Sequence, residues 1–385
     1  MKYTLSHPEI RAGITQLCTD FDGRYWQECD REQAYPEAFV KALTEAGYLS
    51  ALIPAAYGGL GLELSAGAAI LEEIHRSGGN AAACHAQMYT MGTVLRHGSD
   101  EQKQTYLPEI AAGRLRLQAF GVTEPGSGTD TGALRTTAVK QGDSYVINGQ
   151  KIWTSRAEYS DLMLLLARTT PREQTQKKTE GLSVFLVDMR AVPPGSLTIR
   201  PIRTMMNHAT TELFFDDMVV PASSLIGEEG QGFKYILSGM NAERMLIASE
   251  SIGDAKFFID EARNYGCERE VFGRPIAQNQ GIQFPIARAY ADMRCAELML
   301  AEALRLYEDG GNPGEEANIA KMMAADAAWQ AAEACMQTFG GFGFAEEYNI
   351  ERKFREARLY QTAPISTNLV LSYLAEHVLE MPRSF

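Results

Sequence analysis

Residues 121–130, with the sequence GVTEPGSGTD, combine glycines with short hydroxyl side chains. Gly121, Gly126 and Gly128 allow a backbone that approaches a ligand closely, and the neighbouring threonine and serine hydroxyls offer hydrogen bonds. These residue types suit a loop that binds a planar ring or a pyrophosphate. They also suit an ordinary surface loop, because turns are commonly built from the same residues.

Glu243 is a candidate general base. Ile236, Met240, Glu243 and Ile247 recur at steps of four, three and four residues, which places them along one face of a helix. A carboxylate on such an apolar face is desolvated, and a desolvated carboxylate suits proton transfer. The alternative is structural, because the same carboxylate could form an ion pair with a basic residue across a helical bundle.

Several catalytic motifs are absent from the sequence. It contains no G-x-x-x-x-G-K-[ST] loop and no G-x-S-x-G motif, which argues against P-loop phosphate binding and against a serine hydrolase. Gly126-x-Gly128 is followed by Thr131 where a dinucleotide-binding fingerprint requires glycine, so a nicotinamide enzyme is disfavoured. The six cysteines and six histidines are dispersed without a C-x-x-C pair, and we therefore expect no metal site.

The composition is that of a globular protein with a large core. The chain has 385 residues, 45% of them hydrophobic, which is enough for two or three domains. The 36 basic and 49 acidic residues give a formal net charge of -13, which opposes non-specific binding to nucleic acid or anionic lipid. The sequence contains neither an apolar run of roughly 20 residues nor a secretory signal. We expect a cytoplasmic protein that neither binds nucleic acid nor spans a membrane.

Hydrophobic periodicity divides the chain into three parts. Residues 1–118 are helical in period, residues 119–225 alternate like strands, and residues 226–385 return to the helical period. The predicted fold is α+β, with an N-terminal α-helical domain, a middle β domain of barrel or sandwich type, and a C-terminal four-helix bundle. Four helices are predicted in the last part, at residues 233–266, 278–309, 315–339 and 368–379.

The middle part carries a hairpin signal. Residues 145–147 run into Asn148-Gly149, which predicts a type I′ turn, and the chain would return through residues 151–153. Three further apolar runs predict strands, at residues 162–167, 182–187 and 212–215. Between the first two of these runs, the charged residues 169–180 predict an exposed loop.

Two separated motifs resemble the signatures of one family. The string VTEPGSGTD, which begins at Val122, is similar to the first signature of the acyl-CoA dehydrogenases. The second signature matches in order and spacing at Gln337, Gly340, Gly341, Gly343, Phe344, Glu347, Arg352 and Glu356. Two such matches rarely coincide in one chain. The order of helical, strand and helical parts also corresponds to the three-part architecture of this family.

The resemblance implies FAD as the cofactor, held between the β domain and the C-terminal bundle. By match of position, the flavin ring and phosphates would be contacted in the middle domain by Val122, Thr123, Gly128, Thr129, Trp153 and Ser155. Contacts from the last part of the chain, several of them to the FAD of a neighbouring subunit, would come from Arg269, Phe272, Gln280, Gln337, Gly340, Gly341 and Ser366. Each residue also has an ordinary interpretation, as an exposed cation, a core aromatic or a helix-ending glycine.

The resemblance supports Glu243 as the catalytic base. Some family members, including isovaleryl-CoA dehydrogenase, carry the base in this helix as a Glu-Arg pair, which Glu243 and Arg244 match. Other members carry it near the C-terminus in a Tyr-Glu-Gly-Thr segment. Here the matching segment reads APIS and ends at Ser366, with Pro364 in place of that glutamate. Glu243 is therefore the one candidate base left by the resemblance.

The implied reaction is α,β-dehydrogenation of an acyl-CoA thioester to the trans-2-enoyl-CoA, with a branched or medium acyl chain. Residues expected beside the substrate are Met88, Met91, Met240 and Arg244, where methionines adapt to the shape of an acyl tail. The resemblance further implies a homotetramer built as a dimer of dimers, an electron-transfer flavoprotein as electron acceptor, and a role in fatty acid metabolism.

Other functions on the same fold remain open. They are action on a carrier-protein thioester, a flavin monooxygenase activity, and a non-enzymatic role in association with nucleic acid. Glu243 argues against the monooxygenase, because oxygen activation needs no base at the α carbon. The acidic net charge and the lack of a basic C-terminal extension argue against the nucleic-acid role.

Overall fold

The computed structural model describes residues 6–383. The α-helices in this range are α1 (Pro8–Cys18), α2 (Gly23–Arg31), α3 (Glu37–Glu45), α4 (Leu64–Arg76), α5 (Ala82–His97), α6 (Asp100–Ala111), α7 (Gly232–Glu268), α8 (Gln280–Glu308), α9 (Gly314–Phe339), α10 (Ile350–Ala357) and α11 (Thr367–Tyr373). Between residues 6 and 383, no helix is both long and apolar enough to cross a membrane.

The strands form one large mixed sheet and a short hairpin. They are β1 (Leu117–Gly121), β2 (Thr137–Gln141), β3 (Ser144–Ser155), β4 (Leu162–Arg168), β5 (Leu182–Asp188), β6 (Leu197–Pro201), β7 (Thr210–Pro221), β8 (Leu225–Ile226), β9 (Glu270–Val271) and β10 (Arg274–Pro275). The sheet order is β6-β7-β3-β2-β4-β5-β8, with β1 parallel to β4. This path is open, so the middle part does not close into a barrel.

The chain divides into two compact units. The sheet unit comprises Gln33–Leu62 and Ala82–Met240 and contains strands β1 to β8. Among the described residues, the helical unit comprises 6–32, Glu63–Ala81 and 241–383. The division into three domains, at residues 118 and 225, stays a prediction.

Strand β4 forms the centre of the sheet unit. Leu162, Leu164 and Leu166 pack into one core together with residues of α5 and α6. Met163 and Leu165 point into a second core on the opposite face. Because both faces are buried, the strand reads as a continuous apolar run rather than an alternating one. The three apolar runs predicted as strands are confirmed as β4, β5 and part of β7.

The hairpin predicted at Asn148-Gly149 is wrong. Strand β3 continues through both residues, and its register with β7 shifts between Ile147 and Gly149. Gly149 has a φ of 146°, and a Cβ atom there would lie 2.6 Å from the Thr136 hydroxyl oxygen. This glycine therefore allows a bulge and a close backbone approach, and the turn into β3 lies earlier, at Gly142.

The four predicted helices of the last part are confirmed as α7, α8, α9 and α11, and α11 continues directly as a π-helical segment at Leu374–Val378. Helix α10 was not predicted from the sequence. Its sequence, IERKFREA, has charged side chains where a buried face is expected, and Arg352, Lys353 and Glu356 are nevertheless buried. Hydrophobic periodicity cannot detect a helix whose buried face is charged.

The buried charges of α10 are paired within the helical unit. Lys353 Nζ lies 2.5 Å from Asp254 Oδ1 and 3.1 Å from Glu356 Oε2, and Arg352 donates to Glu356 at 2.7 Å. His75 Nδ1 lies 2.8 Å from the same Asp254 oxygen. Burial alone would raise the pKa of Glu356, but Arg352 and Lys353 lower it to about 2. The cluster is therefore held as ion pairs.

A second buried cation joins three helices. Lys256 of α7 donates to Glu72 of α4 and to Glu297 of α8, each at 2.6 Å. Arg11 of α1 donates to Glu72 at 2.9 Å. Each carboxylate therefore meets a cation inside the unit, which buried charge requires.

Gly253 sets the spacing of α4 and α7 in the helical unit. A Cβ atom at this position would lie 2.3 Å from the backbone oxygen of Glu72 and 2.7 Å from Cβ of His75. These distances are far below van der Waals contact, so the two helices approach as closely as they do because residue 253 has no side chain.

Gly253→Ala is expected to lower the free energy of unfolding by about 1–3 kcal/mol, because the added methyl group overlaps a backbone oxygen. Urea unfolding measures the change. The matched control is Gly281→Ala in α8, where a Cβ atom would have no neighbour within 4 Å. Alanine there should be neutral or slightly stabilising. Equal effects of the two substitutions would contradict the close packing at Gly253.

Candidate active site

The glycine-rich loop follows β1 in the sheet unit. Glu124 and Ser127 exchange backbone hydrogen bonds of 3.1 and 3.0 Å, which closes a tight turn around Pro125 and Gly126. The Ser127 hydroxyl donates to the Asp130 carbonyl oxygen at 2.6 Å. The turn leaves Pro125 and Gly126 exposed at its tip.

A buried ion pair holds this loop to β3. The Lys151 side chain is 0% exposed, and its Nζ donates to the Val122 carbonyl at 2.9 Å and to Glu124 at 2.8 Å. The Glu124 carboxylate also accepts the backbone N–H groups of Arg135 and Thr136, at 2.6 and 2.9 Å. Sequence reasoning missed both members of this pair, although Glu124 lies inside the first signature.

Both members of the pair are charged at neutral pH. Burial alone would raise the pKa of Glu124, but the Lys151 ammonium and the hydrogen bonds to the carboxylate lower it. Burial lowers the pKa of Lys151 to about 8, and the Glu124 carboxylate opposes this shift. The loop is therefore held by a charge-assisted contact in addition to the apolar packing of Val122 against the core around β4.

Trp153 lies beside the loop on an irregular part of β3. The Ile152 N–H donates to the Thr123 carbonyl at 2.9 Å, and the register with β7 shifts between Ile152 and Thr154. At this bulge Trp153 has a φ of 62° and is 57% exposed. An exposed indole held in a left-handed backbone conformation combines exposed apolar area with backbone strain, which makes Trp153 a candidate residue of a functional surface. Ser155, two residues further on, is partly buried.

The surface around the loop offers unused hydrogen-bond donors. Within residues 6–383, the N–H groups of Thr123, Gly128 and Thr129 donate no hydrogen bond to the protein. A Cβ atom on Gly126 would meet nothing within 4 Å, and one on Gly128 would meet only the Thr123 methyl group, at 3.9 Å. The loop therefore presents an open backbone to a ligand that accepts hydrogen bonds.

The methionines expected at the acyl chain occupy the apolar interior of the sheet unit. Met88 and Met91 lie on α5, where both are buried, and Met91 belongs to the core around β4. Met240 is partly buried against the same core. The structure thus brings Met91 and Met240 to one continuous apolar cluster.

Glu243 lies on α7 in the helical unit, next to Arg244 and within electrostatic reach of Lys321 on α9. Arg244 donates to Asn241 Oδ1 at 2.8 Å. Burial lowers the pKa of Arg244, and the Glu243 carboxylate opposes this shift. Sequence reasoning missed Lys321. The sequence feature that could have indicated this residue is a single lysine within the alanine-rich sequence of α9.

The segment 363–366 precedes α11 and contains no carboxylate. Lys321 Nζ donates to the Ile365 carbonyl at 2.6 Å. Ser366 is partly buried and is the N-cap residue of α11, without a side-chain capping bond. The structure therefore connects the segment to the same lysine that acts on Glu243.

Two distant parts of the sequence meet elsewhere in the helical unit. The Arg269 guanidinium lies 5.8 Å from the ring centre of Phe342, next to the glycine pair Gly340 and Gly341. The neighbouring β9–β10 hairpin turns at Phe272, which has a φ of 54° and is 100% exposed. The structure thus brings Arg269 close to the second signature and leaves an aromatic ring in solvent.

A surface cavity of about 600 Å³ opens near the second signature, and it is lined in part by Gln337, Gly340, Phe344 and Arg288. Cβ atoms on Gly340 or Gly341 would meet nothing within 4 Å. Gln280 is exposed at the start of α8. This face therefore has both an opening and an accessible backbone.

Family models match three consecutive parts of the chain. Acyl-CoA dehydrogenase, N-terminal domain, matches residues 4–114; the middle domain of that family matches residues 119–218; and the C-terminal domain matches residues 230–379. The chain belongs to the acyl-CoA dehydrogenase family. It is therefore an oxidoreductase acting on CH–CH groups, and the cofactor of the family is FAD.

Curated acyl-CoA dehydrogenases are similar over most of their length. The acyl-CoA dehydrogenase of Bacillus subtilis (strain 168) is 34% identical over 353 residues, covering 90% of this chain and 91% of that protein. Cyclohex-1-ene-1-carbonyl-CoA dehydrogenase of Syntrophus aciditrophicus (strain SB) is 35% identical over 338 residues, covering 87% of this chain and 80% of that protein.

Solved structures share the fold of this acyl-CoA dehydrogenase. A chain in the structure of the electron transferring flavoprotein of Acidaminococcus fermentans has a TM-score of 0.91 and 30% identity, covering 98% of this chain and 100% of that chain. Butyryl-CoA dehydrogenase from Megasphaera elsdenii has a TM-score of 0.89 and 27% identity, with the same coverage.

The sheet unit of this acyl-CoA dehydrogenase fits part of an FAD molecule. A flavin ring is planar and accepts hydrogen bonds at its carbonyl groups, and the phosphates also need donors. The unused N–H groups of Thr123, Gly128 and Thr129 supply donors, and the exposed Trp153 supplies an aromatic surface beside them. The residues present therefore suit the cofactor of the family.

Lys151→Met is expected to lower the free energy of unfolding by about 3–5 kcal/mol, because it leaves the buried Glu124 carboxylate without its cation. The matched control is Lys178→Met. Lys178 pairs at 2.8 Å with Asp130 of the same loop, but this pair is exposed, so its loss should cost less than about 1 kcal/mol. Chemical unfolding of the FAD-loaded variants measures both. Similar losses would show that the buried pair does not hold the loop.

Proposed function

We propose that this protein catalyses the FAD-dependent α,β-dehydrogenation of an acyl-CoA thioester to the trans-2-enoyl-CoA, with Glu243 as the base. This proposal assigns the chain to the branch that carries its base in α7, as in isovaleryl-CoA dehydrogenase. Two observations taken together support Glu243 as the base. Glu243 precedes Arg244 on α7 and lies within electrostatic reach of Lys321, and the segment 363–366 holds no carboxylate that could replace it.

The proposed role of Glu243 is to remove a proton from the α carbon of the thioester. Such a carbon is a very weak acid, so the carboxylate has to be ionised and partly desolvated when the substrate arrives. The positive charges of Arg244 and Lys321 attract the carboxylate, and Arg244 also borders the substrate in this proposal. FAD, when bound, accepts the hydride that leaves the β carbon.

Most of the proposed FAD contacts in the sheet unit have unused backbone donors, as at Thr123, Gly128 and Thr129, or an exposed ring, as at Trp153. Val122, Thr123 and Trp153 would meet the flavin ring together with Ser155. The phosphates would be held by the backbone at Gly128 and Thr129. The further contacts proposed from the helical unit are Arg269, Phe272, Gln280, Gln337, Gly340, Gly341 and Ser366.

The proposed substrate carries a branched or medium acyl chain. Met88, Met91 and Met240 would border its tail, and the apolar cluster around the latter two supports an apolar rather than an acidic tail. The Megasphaera relative is named for a butyryl thioester and the Syntrophus relative for a cyclic one, so the family match supports an acyl-CoA substrate, and the proposed branched or medium chain rests on the apolar cluster.

The proposed assembly is a homotetramer in which the helical unit contacts the FAD of a neighbouring subunit. Phe272 supports this, because a fully exposed phenylalanine in a left-handed conformation is costly unless another surface covers it. We further propose a cytoplasmic enzyme of fatty acid metabolism that passes electrons to an electron-transfer flavoprotein. Its proposed domains are residues 1–118, 119–225 and 226–385.

Anaerobic titration of the yellow protein with a panel of acyl-CoA thioesters tests the activity. Branched and medium acyl groups are expected to bleach the flavin absorbance faster than dicarboxylic ones. The panel should include the same acyl groups on a carrier protein, because faster bleaching by those would favour the alternative substrate class. If no thioester bleaches the flavin, the proposed activity is wrong.

Glu243→Gln is expected to keep the fold and the FAD content while slowing flavin reduction by about a hundredfold or more, because an amide cannot accept the α proton. Stopped-flow absorbance under anaerobic conditions measures the rate. Glu261→Gln provides a control on the same helix, and it should keep the wild-type rate. Near-normal reduction by the Glu243 variant would remove this residue from the mechanism.

Mixed oligomers test whether one FAD site draws on two chains. Homo-oligomers of Arg269→Ala and of Glu243→Gln should both be impaired, the first in FAD binding and the second in proton removal. In a mixed oligomer, a chain that lacks Arg269 retains Glu243 and receives Arg269 from its neighbour, so some sites are complete. Co-expression with different tags allows isolation of the mixed species. Activity no higher than the parental average would mean that Arg269 serves its own chain or no FAD.

A further inference from the structure

The chain between α4 and α5 is buried in the helical unit at Gly78, Gly79 and Ala81. Buried backbone N–H and C=O groups need hydrogen-bond partners. The end of α4 satisfies two of them, because the N–H groups of Gly78 and Gly79 donate to the carbonyls of His75 and Ile74, each at 3.0 Å. This is a Schellman motif, and Gly78 has the left-handed φ of 80° that the motif requires.

Two cations of α10 bind the carbonyl groups of the same two glycines. Arg352 donates to the Gly78 carbonyl at 2.5 Å, and Lys353 donates to the Gly79 carbonyl at 3.0 Å. Both cations belong to the buried charge cluster of the helical unit. The cluster therefore holds the backbone that leads to α5 as well as pairing its own charges.

His75 of α4 supplies the partner of the Ala81 N–H group, which it accepts at Nε2 at 3.1 Å. A ring nitrogen accepts a hydrogen bond only when it carries no proton, so this contact assigns the proton of a neutral His75 to Nδ1. Nδ1 lies 2.8 Å from Asp254 Oδ1, which can accept its hydrogen bond. Asp254 therefore selects the tautomer that Ala81 requires.

The residue after Ala81 is the first residue of α5, which runs from Ala82 to His97. Met88 follows Ala82 by fewer than about two helical turns, and Met91 lies a further turn along. Because a helix is a stiff element, a shift of its first residue also moves these side chains.

We propose that His75 is a positioning residue for acyl-chain selection, which holds residues 78–81 and so fixes where α5 begins. This rests on the proposed function, in which Met88 and Met91 border the acyl tail. A short acyl group would contact little of α5, whereas a longer one would contact more. The hydrogen bond between His75 and Ala81 therefore acts on the preference among acyl chains rather than on proton removal.

Two substitutions of His75 isolate the contact with Ala81. His75→Phe keeps a planar ring but offers no acceptor. In His75→Gln, the side-chain amide oxygen can accept the Ala81 N–H. Both variants lose the Nδ1 donor beside Asp254, so a difference between them reports the Ala81 contact.

The measured quantity is kcat/KM for a medium-chain acyl-CoA divided by kcat/KM for butyryl-CoA, in steady state with a dye as electron acceptor. In His75→Phe this ratio should fall about five- to tenfold, because the unsatisfied buried N–H of Ala81 displaces the start of α5. The change should lie in KM for the medium-chain thioester, while kcat for butyryl-CoA stays unchanged. His75→Gln should keep the ratio within about twofold of the wild type, because it retains an acceptor. A contact that only stabilised the fold would leave the ratio unchanged in both variants.

Hydrogen exchange tests the same contact without any substrate. The peptide covering residues 77–86 should exchange faster in His75→Phe than in the wild type and in His75→Gln, because Ala81 loses its acceptor. Peptides of β4 serve as the control and should not change. If His75→Phe does not fold, His75→Asn replaces it, because that amide can reach Asp254 but is too short to reach Ala81.

The outcomes distinguish this proposal from the proposed function. If no thioester reduces the wild-type flavin, the proposed function is wrong and the selection role falls with it, whatever the exchange shows. If the wild type is active and the variant without an acceptor keeps the wild-type ratio, only the role of His75 is refuted. An equal loss in His75→Gln, or unchanged exchange at residues 77–86, would likewise overturn it.

Discussion

Positive charge that is removed from water has to be balanced, and this requirement determines much of how both units are built. In the sheet unit, Lys151 binds Glu124 and so ties the glycine-rich loop to β3. In the helical unit, Lys256 joins α4, α7 and α8 through Glu72 and Glu297. Each of these contacts connects elements that are not adjacent in the sequence. The surfaces proposed to bind FAD and substrate are therefore supported by ionic contacts as well as by apolar packing.

The sequence predicted most of what depends on local pattern. The helices α7, α8 and α9 and the strands β4 and β5 follow from hydrophobic period, and the loop at residues 121–130 follows from its glycines. Where the conformation of a residue depends on a tertiary contact, the sequence-based prediction was wrong or made no statement. The sequence Asn148-Gly149 is typical of a turn, but in the structure it forms a bulge against Thr136. The ion pair between Lys151 and Glu124 produces no periodic pattern in the sequence. The same holds for α10, whose buried face is charged.

Two aromatic residues depart from their usual surroundings. Trp153 and Phe272 lie in different units, and each combines a left-handed backbone with a largely exposed ring. Either feature alone has ordinary explanations, but the combination exposes apolar area and strains the backbone at one residue. Such a residue persists when something outside the free chain covers it. The cofactor and the neighbouring subunit proposed above would provide that cover for these two residues.

The missing side chain at Gly253 has a consequence for how this protein can change over evolution. The atom that a methyl group would strike is a backbone oxygen, which is present whichever amino acid occupies position 72. No replacement of a neighbouring side chain can therefore make room, in contrast to an ordinary core position, where a large residue can be exchanged for a smaller one. Room could come only from a shift of α4, and that would stretch the contact between Glu72 and Lys256. The glycine and the ion pair are thus expected to be inherited together, or lost together in a lineage that rebuilds both helices.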